Sequence, residues 1–252
     1  MPMVNTVTYL DRIGYGGPTI PTAENLRAIH RAHLLTVPFE NLDIGLGRRI
    51  VCDEEGFLRQ IVDNKRGGFC YQMNGAFAAL LRALGFQVTL LSARVNREDG
   101  SPGPEFDHLA LRVDLAEPWL ADVGFGDSFV EPLRMKTGIE QPQGGRKFRI
   151  VGDHEGLLLE RDESDGIWRS QFSFTLQPRR LEEFSLMCHY HQTSPESPFT
   201  RKRVCTRAMP DGRITLSDSK LIFTHNGKRK EQAIESEEQW QAALKKHFNI
   251  EL

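Results

Sequence analysis

Cysteine is scarce in this 252-residue chain: Cys52, Cys70, Cys188 and Cys205 are far apart and form no CxxC pair. A chain of this length buries a core without disulfide staples, so the expectation is a reduced, cytoplasmic protein. No run approaches the ~18 apolar residues of a membrane span. The N-terminal MPMVNTVTYLDRIG has neither the basic nor the apolar region of a secretory signal. Charge of one sign is also missing, with 32 Lys and Arg against 34 Asp and Glu and a formal net charge of −2. That balance speaks against a dedicated nucleic-acid or membrane-surface protein and leaves a small molecule as the expected partner. Neither internal repeats nor low-complexity tracts occur.

What is present changes character along the chain. In PTAENLRAIHRAHLLTVP, Thr22 can cap a helix whose Leu26, Ile29, His33 and Leu34 fall at helical spacing, and Pro38 limits it. DEEGFLRQIVD opens with acids suited to a helix N-terminus and places Phe57, Leu58, Ile61 and Val62 on one face. A third helix from Cys70 carries Met73, Phe77, Leu80, Leu81 and Leu84 as an apolar stripe, with Gly85 as its C-terminal cap. Beyond Gly85 the period becomes alternating. FQVTLLSARV, HLALRVDL, PWLADVGFG, FRIV, LLLER, GIWRSQFSFTL, RVCTRAM, RITLSD and KLIFTH read as strands. REDGSPGPEFD and EQPQGGRK read as loops. HNGK at 225–228 is a two-residue hairpin signal. SEEQWQAALKKHF reads as a terminal helix with a capping box of Ser236 and Gln239.

The expected fold is α+β: an N-terminal helical bundle, a central antiparallel β-barrel-like region and a C-terminal β/α lid. The corresponding segments are 1–85, which carries the cysteine of interest, then 86–190, then 191–252.

That cysteine is Cys70 in RGGFCYQMN. In the first turn of a helix, free N–H groups and the partial positive charge favour thiolate over thiol. Gly67 and Gly68 allow a sharp turn into the helix and close approach of a ligand. A free cysteine is as readily a small buried hydrophobe, and placement does not choose between the two. A thiolate nucleophile needs a histidine base, and the histidine a carboxylate. A hairpin pivoting on Leu115 sets His108 opposite Asp122, Leu111 opposite Trp119 and Leu109 opposite Ala121. One face is then wholly apolar and the other carries His and Asp together. The alternative is a solvent-facing His108 and an Asp122 that opens a turn.

Five motifs in order, VPFENLDI, RGGFCYQMN, FDHLALRV, WLADVGFGD and TSPESPFTR, resemble the arylamine N-acetyltransferase family from about residue 8 to about residue 225. The resemblance implies a cysteine-protease-like triad of Cys70 as acetyl-accepting nucleophile, His108 as its base and Asp122 as the residue orienting the base. It implies acetyl-CoA as acyl-donor co-substrate, aromatic amines and hydrazines as small-molecule partners, and no metal. It also implies a pocket walled by Phe39, Val95, Phe125 and Phe129, with Gly124 and Gly126 letting the pantetheine arm near the backbone, and a structural Glu40–Arg66 pair. Position 72 is Gln where some members carry Glu, and the chain ends earlier than many relatives. RKR at 201–203 and KRK at 228–230 could meet CoA phosphates or be solvated surface. CHYH at 188–191, read as a strand, has no second ligand pair at zinc spacing. The same triad also serves hydrolases and amide synthases, and a non-catalytic binding protein would carry it as a vestige.

Overall fold

The computed structural model describes residues 4–97, 99–153 and 156–252, so Glu98 of the expected REDGSPGPEFD loop lies outside the described residues. Short polar caps start most of the early helices. Asn5 opens α1 (Thr6–Arg12) by accepting the Thr8 N–H, and Thr22 opens α2 (Ala23–Thr36) by accepting the Asn25 N–H. The two-residue strand β1 (Phe39–Glu40) and the single turn α3 (Leu42–Gly45) follow. Asp53 then caps α4 (Glu54–Leu58), which widens into a π turn over Arg59–Asp63.

The helix α5 (Cys70–Ala83) differs from the expected amphipathic stripe. All of its residues from Cys70 through Leu81 are buried, so it is a central helix enclosed on every side. Its small residues make this possible. Gly75, Ala76, Ala78 and Ala79 leave room for neighbours on the faces that the larger side chains do not fill.

Eight antiparallel strands follow: β2 (Gln87–Val95), β3 (His108–Asp114), β4 (Pro118–Ala121), β5 (Leu133–Arg134), β6 (Gln141–Gln143), β7 (Arg146–Gly152), β8 (Leu157–Asp162) and β9 (Trp168–Phe174). They are ordered β5-β4-β3-β2-β9-β8-β7-β6. The two edge strands are joined by side-chain amides acting as a surrogate backbone. Gln141 accepts the Arg134 N–H at 2.8 Å and donates to the Arg134 carbonyl at 3.1 Å. Gln143 accepts from Val130 and Glu131 and donates to the Glu131 carbonyl. The sheet is thereby almost closed into a barrel, which leaves little unpaired edge. Inside it pack Leu91, Ala110, Leu120, Phe129, Phe148 and Phe172. The opposite face of β3 and β4 carries Leu109, Leu111, Val113, Trp119 and Ala121 into the helical core.

The expected loop EQPQGGRK is instead a hairpin, in which Gln143 pairs with Arg146 across Gly144 and Gly145. Both glycines have positive φ, so the Gly-Gly pair is a tight hairpin turn.

A 3₁₀ turn (Leu181–Phe184) leads into α6 (Ser185–Thr193) and α7 (Pro198–Arg201). CHYH is therefore helical, correcting the strand reading. Cys188 and His191, three apart, face inward together, whereas alternation would have paired His189 with His191.

The last sheet, ordered β1-β10-β11-β12-β13, adds β10 (Val204–Met209), β11 (Gly212–Ser217), β12 (Lys220–His225) and β13 (Lys228–Ala233) to β1. Phe39 and Glu40 pair with Thr206 and Cys205, tying the VPFE motif to the C-terminal part of the chain. HNGK forms the expected turn, with Asn226 and Gly227 at positive φ. The terminal helix α8 (Glu237–Phe248) buries Trp240, Leu244 and Phe248 against Leu216 and Leu221. Ser236 caps it, while the Gln239 side chain reaches the Glu235 N–H, one residue before the position a capping box requires.

Candidate active site

Cys70 is the first residue of α5 and is 3% exposed. The preceding residue, Phe69, has no capping side chain, so the Gln72 amide oxygen returns to accept the Phe69 N–H at 3.3 Å. The glycines before it answer to the protein rather than to a ligand. The VPFE segment runs alongside them, with the Glu40 N–H bonded to the Gly68 carbonyl, and a Cβ on Gly67 would lie 1.9 Å from the Pro38 oxygen. Glu40 and Arg66 pair as expected: two guanidinium nitrogens meet one carboxylate oxygen at 3.0 and 2.7 Å, and the other oxygen accepts the Leu42 N–H. Burial raises the Glu40 carboxyl, and the Arg66 charge opposes this only in part.

Burial also pushes the Cys70 thiol well up, and the charges of Asp107 and Cys188 act in the same direction. The Leu109 N–H opposes them. Burial thus opposes the stabilisation of a thiolate that the helix end offers.

His108 starts β3 and Asp122 follows the end of β4. Their hairpin is displaced by two residues from the expected register, with Leu111 facing Ala121 and Val113 facing Trp119. A slip of two preserves which face each side chain takes, because strand side chains alternate with period two. The His108–Asp122 contact therefore survives the shift, although the two residues are not a ladder pair. His108 Nε2 lies 2.7 Å from Asp122 Oδ2, and both groups are buried. The second Asp122 oxygen accepts from Asn74 Nδ2 and from the Gly124 N–H, each at 2.8 Å. Burial by itself would raise Asp122, but the His108 charge and these donors outweigh it and hold the carboxyl below its usual range.

Two supporting residues escaped the sequence reading. Asn74, fully buried, also donates to the Leu109 carbonyl at 2.6 Å and accepts the Val123 N–H at 2.9 Å, stitching α5 to both strands. It stands four residues after Cys70, one helical turn along the same face, which was a usable signal. His30 on α2 accepts the Asp122 N–H through Nε2 and donates from Nδ1 to the Val130 carbonyl. Burial lowers His30 to about 4, so it serves as a neutral prop. Nothing in the spacing of α2 announced a contact 92 residues away.

Cys70 and His108 open onto one cavity of about 500 Å³. Of the pocket residues expected from sequence, Phe39, Val95, Gly124 and Phe125 line it. Phe125 meets the His108 ring edge-on at 5.3 Å between centroids. Gly124 has no room for a side chain, since a Cβ would fall 2.8 Å from the Cys70 Cα and 2.7 Å from Asn74 Nδ2. Phe129 and Gly126 do not line the cavity. Phe129 is 1% exposed, packs in the barrel core and stacks on His30. Gly126 lies against the Phe39 ring, 3.6 Å from where its Cβ would be. Asp107, Tyr190, His191 and Phe199 complete much of the wall. Within the basic runs, Arg201 pairs with Glu196 of the cavity lining, Arg203 with Asp218 and Glu237, and Arg229 with Glu231. With Nε2 turned to Asp122, the second ring nitrogen of His108 is left to exchange a proton with a group in the cavity.

The model of the N-acetyltransferase family matches residues 22–252 of this chain. An arylamine N-acetyltransferase of Gallus gallus, a pineal gland isozyme, is 35% identical over 270 residues, covering 97% of this chain and 93% of its own. The solved arylamine N-acetyltransferase of Salmonella typhimurium superposes with a TM-score of 0.93 at 30% identity, over 98% of this chain and 92% of that one. The Mycobacterium marinum arylamine N-acetyltransferase in complex with CoA gives a TM-score of 0.90 at 29% identity, over 98% and 93%.

Proposed function

This chain belongs to the arylamine N-acetyltransferase family, and from that premise we propose that Cys70 carries an acetyl group from acetyl-CoA to an arylamine, arylhydrazine or arylhydroxylamine in a ping-pong sequence. The protein is an acetyltransferase, with acetyl-CoA as its co-substrate. The observation that carries the ping-pong reading is the buried His108–Asp122 contact behind a cavity that Cys70 also lines.

In the first half-reaction His108 takes the Cys70 thiol proton as the sulfur attacks the acetyl carbonyl. The bond from that carbon to the CoA sulfur breaks, and the departing sulfur receives the proton. In the second, the amine nitrogen attacks the Cys70 thioester, loses a proton to His108, and the Cys70 sulfur leaves and regains it. The ionised Asp122 keeps the imidazole oriented and stabilises its protonated form. Aromatic amines and hydrazines are neutral near pH 7 and can enter an apolar cavity as nucleophiles, whereas alkyl amines arrive protonated.

The Cys70 N–H, at the start of α5 where no helical acceptor exists, is placed to support the oxyanion of each step. Phe39, Val95 and Phe125 form the apolar wall for acyl group and ring, and Gly124 lets the thioester arm lie against backbone. No helix among the described residues is long and apolar enough to cross a membrane. The enzyme is proposed to act in the cytoplasm on small molecules, with neither nucleic acid nor membrane as partner.

The test is the intact mass of the protein mixed with acetyl-CoA alone, beside Cys70→Ala. One acetyl group is expected on the parent and none on the variant, and it should vanish when an arylamine or hydrazine is added. Loss of the acetyl group without any acceptor would assign a thioester hydrolase instead, and no gain at all would leave ping-pong transfer through Cys70 unsupported.

A further inference from the structure

The cavity that Cys70 and His108 share has in its wall a carboxyl group that the acetyl-transfer steps do not use. It belongs to Asp107, which directly precedes His108, so the two Cα atoms are one peptide step of ~3.8 Å apart. Standing ahead of β3, Asp107 is outside the strand's alternation, and it lines the cavity together with His108. Its backbone is held in place. The Phe106 N–H donates to Ser92 Oγ at 2.8 Å, and the Tyr71 hydroxyl reaches the Phe106 and Asp107 carbonyls at 2.7 and 3.3 Å. Gly103 leaves room for the carboxyl group, since a Cβ there would fall 2.7 Å from Asp107 Oδ2.

This carboxyl group is short of partners. Its side chain is only 15% exposed, and its one close polar neighbour among the described residues is His191 Nε2, 3.1 Å from Oδ1 and not aligned for a hydrogen bond. No protein N–H or O–H among the described residues reaches Oδ2. A carboxylate can only accept, and one placed this deeply is costly to leave without donors. The remaining wall supplies none for it. Phe39, Val95, Phe125 and Phe199 are apolar, and the second acid of the lining, Glu196, is exposed and paired with Arg201. A vacant acceptor in a cavity that takes aromatic amines calls for a donor on the ligand.

Resting on the reading of Cys70 as acetyl carrier, we propose that Asp107 selects the acceptor: it accepts a hydrogen bond from a hydroxyl or second amino group on the arylamine ring and disfavours rings that carry a carboxylate. The amine nitrogen attacks the Cys70 thioester beside His108, and the substituent across the ring is met by the residue next to His108 in the chain. A hydrogen bond to a carboxylate is among the stronger ones, and a site with an acceptor left unpaired discriminates against a ring that lacks the donor. A ring carboxylate would instead meet a like charge in a partly enclosed site.

The experiment is kcat/KM for 4-aminophenol, 4-methoxyaniline and 4-aminobenzoate at pH 7 with saturating acetyl-CoA, in the parent, Asp107→Ala and Asp107→Asn. The first two acceptors share ring geometry and similar electron donation and differ in the O–H. The parent is expected to favour 4-aminophenol over 4-methoxyaniline by about tenfold or more. Asp107→Ala should abolish that preference, and in both variants the ratio of 4-aminobenzoate to 4-methoxyaniline should rise about tenfold as the like charge is removed. A merely structural role for Asp107 would lower all three acceptors together and leave these ratios unchanged, which overturns the proposal. Equal use of 4-aminophenol and 4-methoxyaniline by the parent also overturns it, and that comparison decides alone if neither variant folds. Transfer to none of the three would overturn the acetyl-transfer reading and this inference with it, whereas transfer without discrimination overturns this inference alone.

Discussion

His108 turns Nε2 to Asp122, 2.7 Å from Oδ2, and Asn74 and the Gly124 N–H hold the other carboxylate oxygen. The arrangement fixes the tautomer as well as the tilt of the ring: the proton sits on Nε2 and the lone pair on Nδ1. Replacing Asp122 by Asn offers an amide that can donate to Nε2 and so favours the wrong tautomer. Asp122→Asn is expected to lower kcat/KM about 10³-fold with little change in fold, and Cys70→Ser to abolish transfer. Steady-state kinetics with acetyl-CoA and an arylamine, beside near-ultraviolet dichroism, checks both.

Asn74 serves three partners at once, so its loss exposes several unpaired groups in a dry interior. Asn74→Leu leaves the Leu109 carbonyl and the Val123 N–H unsatisfied and takes away one of the two donors to an Asp122 oxygen. The expected cost is about 2–5 kcal/mol of stability together with a fall in activity. Urea melts give the first quantity. A variant within ~0.5 kcal/mol of the parent would show that water replaces the amide.

Gly124→Ala sets a methyl group 2.8 Å from the Cys70 Cα. Close packing transmits such a clash, and Cys70 must shift relative to His108. Turnover is expected to fall at least about tenfold, with slower acetylation of Cys70 by acetyl-CoA in rapid-quench mass measurements. Gly126→Ala, outside the cavity lining but at a φ of 91°, should cost stability first.

His30 and His33 are both buried and both lowered by burial, His30 to about 4. The unfolded chain binds protons at these positions near pH 6.5 and the native state does not, so stability is complete above that pH and falls as pH drops toward 4. His30 alone accounts for about 3 kcal/mol over this window. Asp122, lowered in the native state, adds a loss only below about pH 4. Urea midpoints at pH 7, 6 and 5 should fall steadily, and His30→Gln should flatten the slope at the cost of a lower value at pH 7.

Much of the architecture was legible locally. Thr22 and Ser236 marked two helix starts, Asn226-Gly227 marked a hairpin, and the change of period after Gly85 marked the passage from helix to strand. These features depend on a few adjacent residues, where steric and capping preferences act without the rest of the chain. The strand reading of CHYH and the loop reading of EQPQGGRK failed because each segment is short and ambiguous until neighbours choose for it. His108 and Asp122 could be placed on one face from alternation, and even a register error of two residues left that intact. Motif order carried Cys70, His108 and Asp122 as a set, together with the family to which the chain belongs.

Local sequence thus specified most of the helical and extended segments and the parity of side chains on β3 and β4, and motif order picked out Cys70, His108 and Asp122 as the candidate triad. Only the tertiary structure decided that α5 is buried on all sides, that Asn74 and His30 brace Asp122, that Phe129 supports the core rather than the cavity, and that His191 comes to rest against Asp107. Those relations join residues tens of positions apart. They arise from packing at near-crystalline density and from the requirement that every buried polar group find a partner, and neither constraint is written in the spacing of neighbours along the chain.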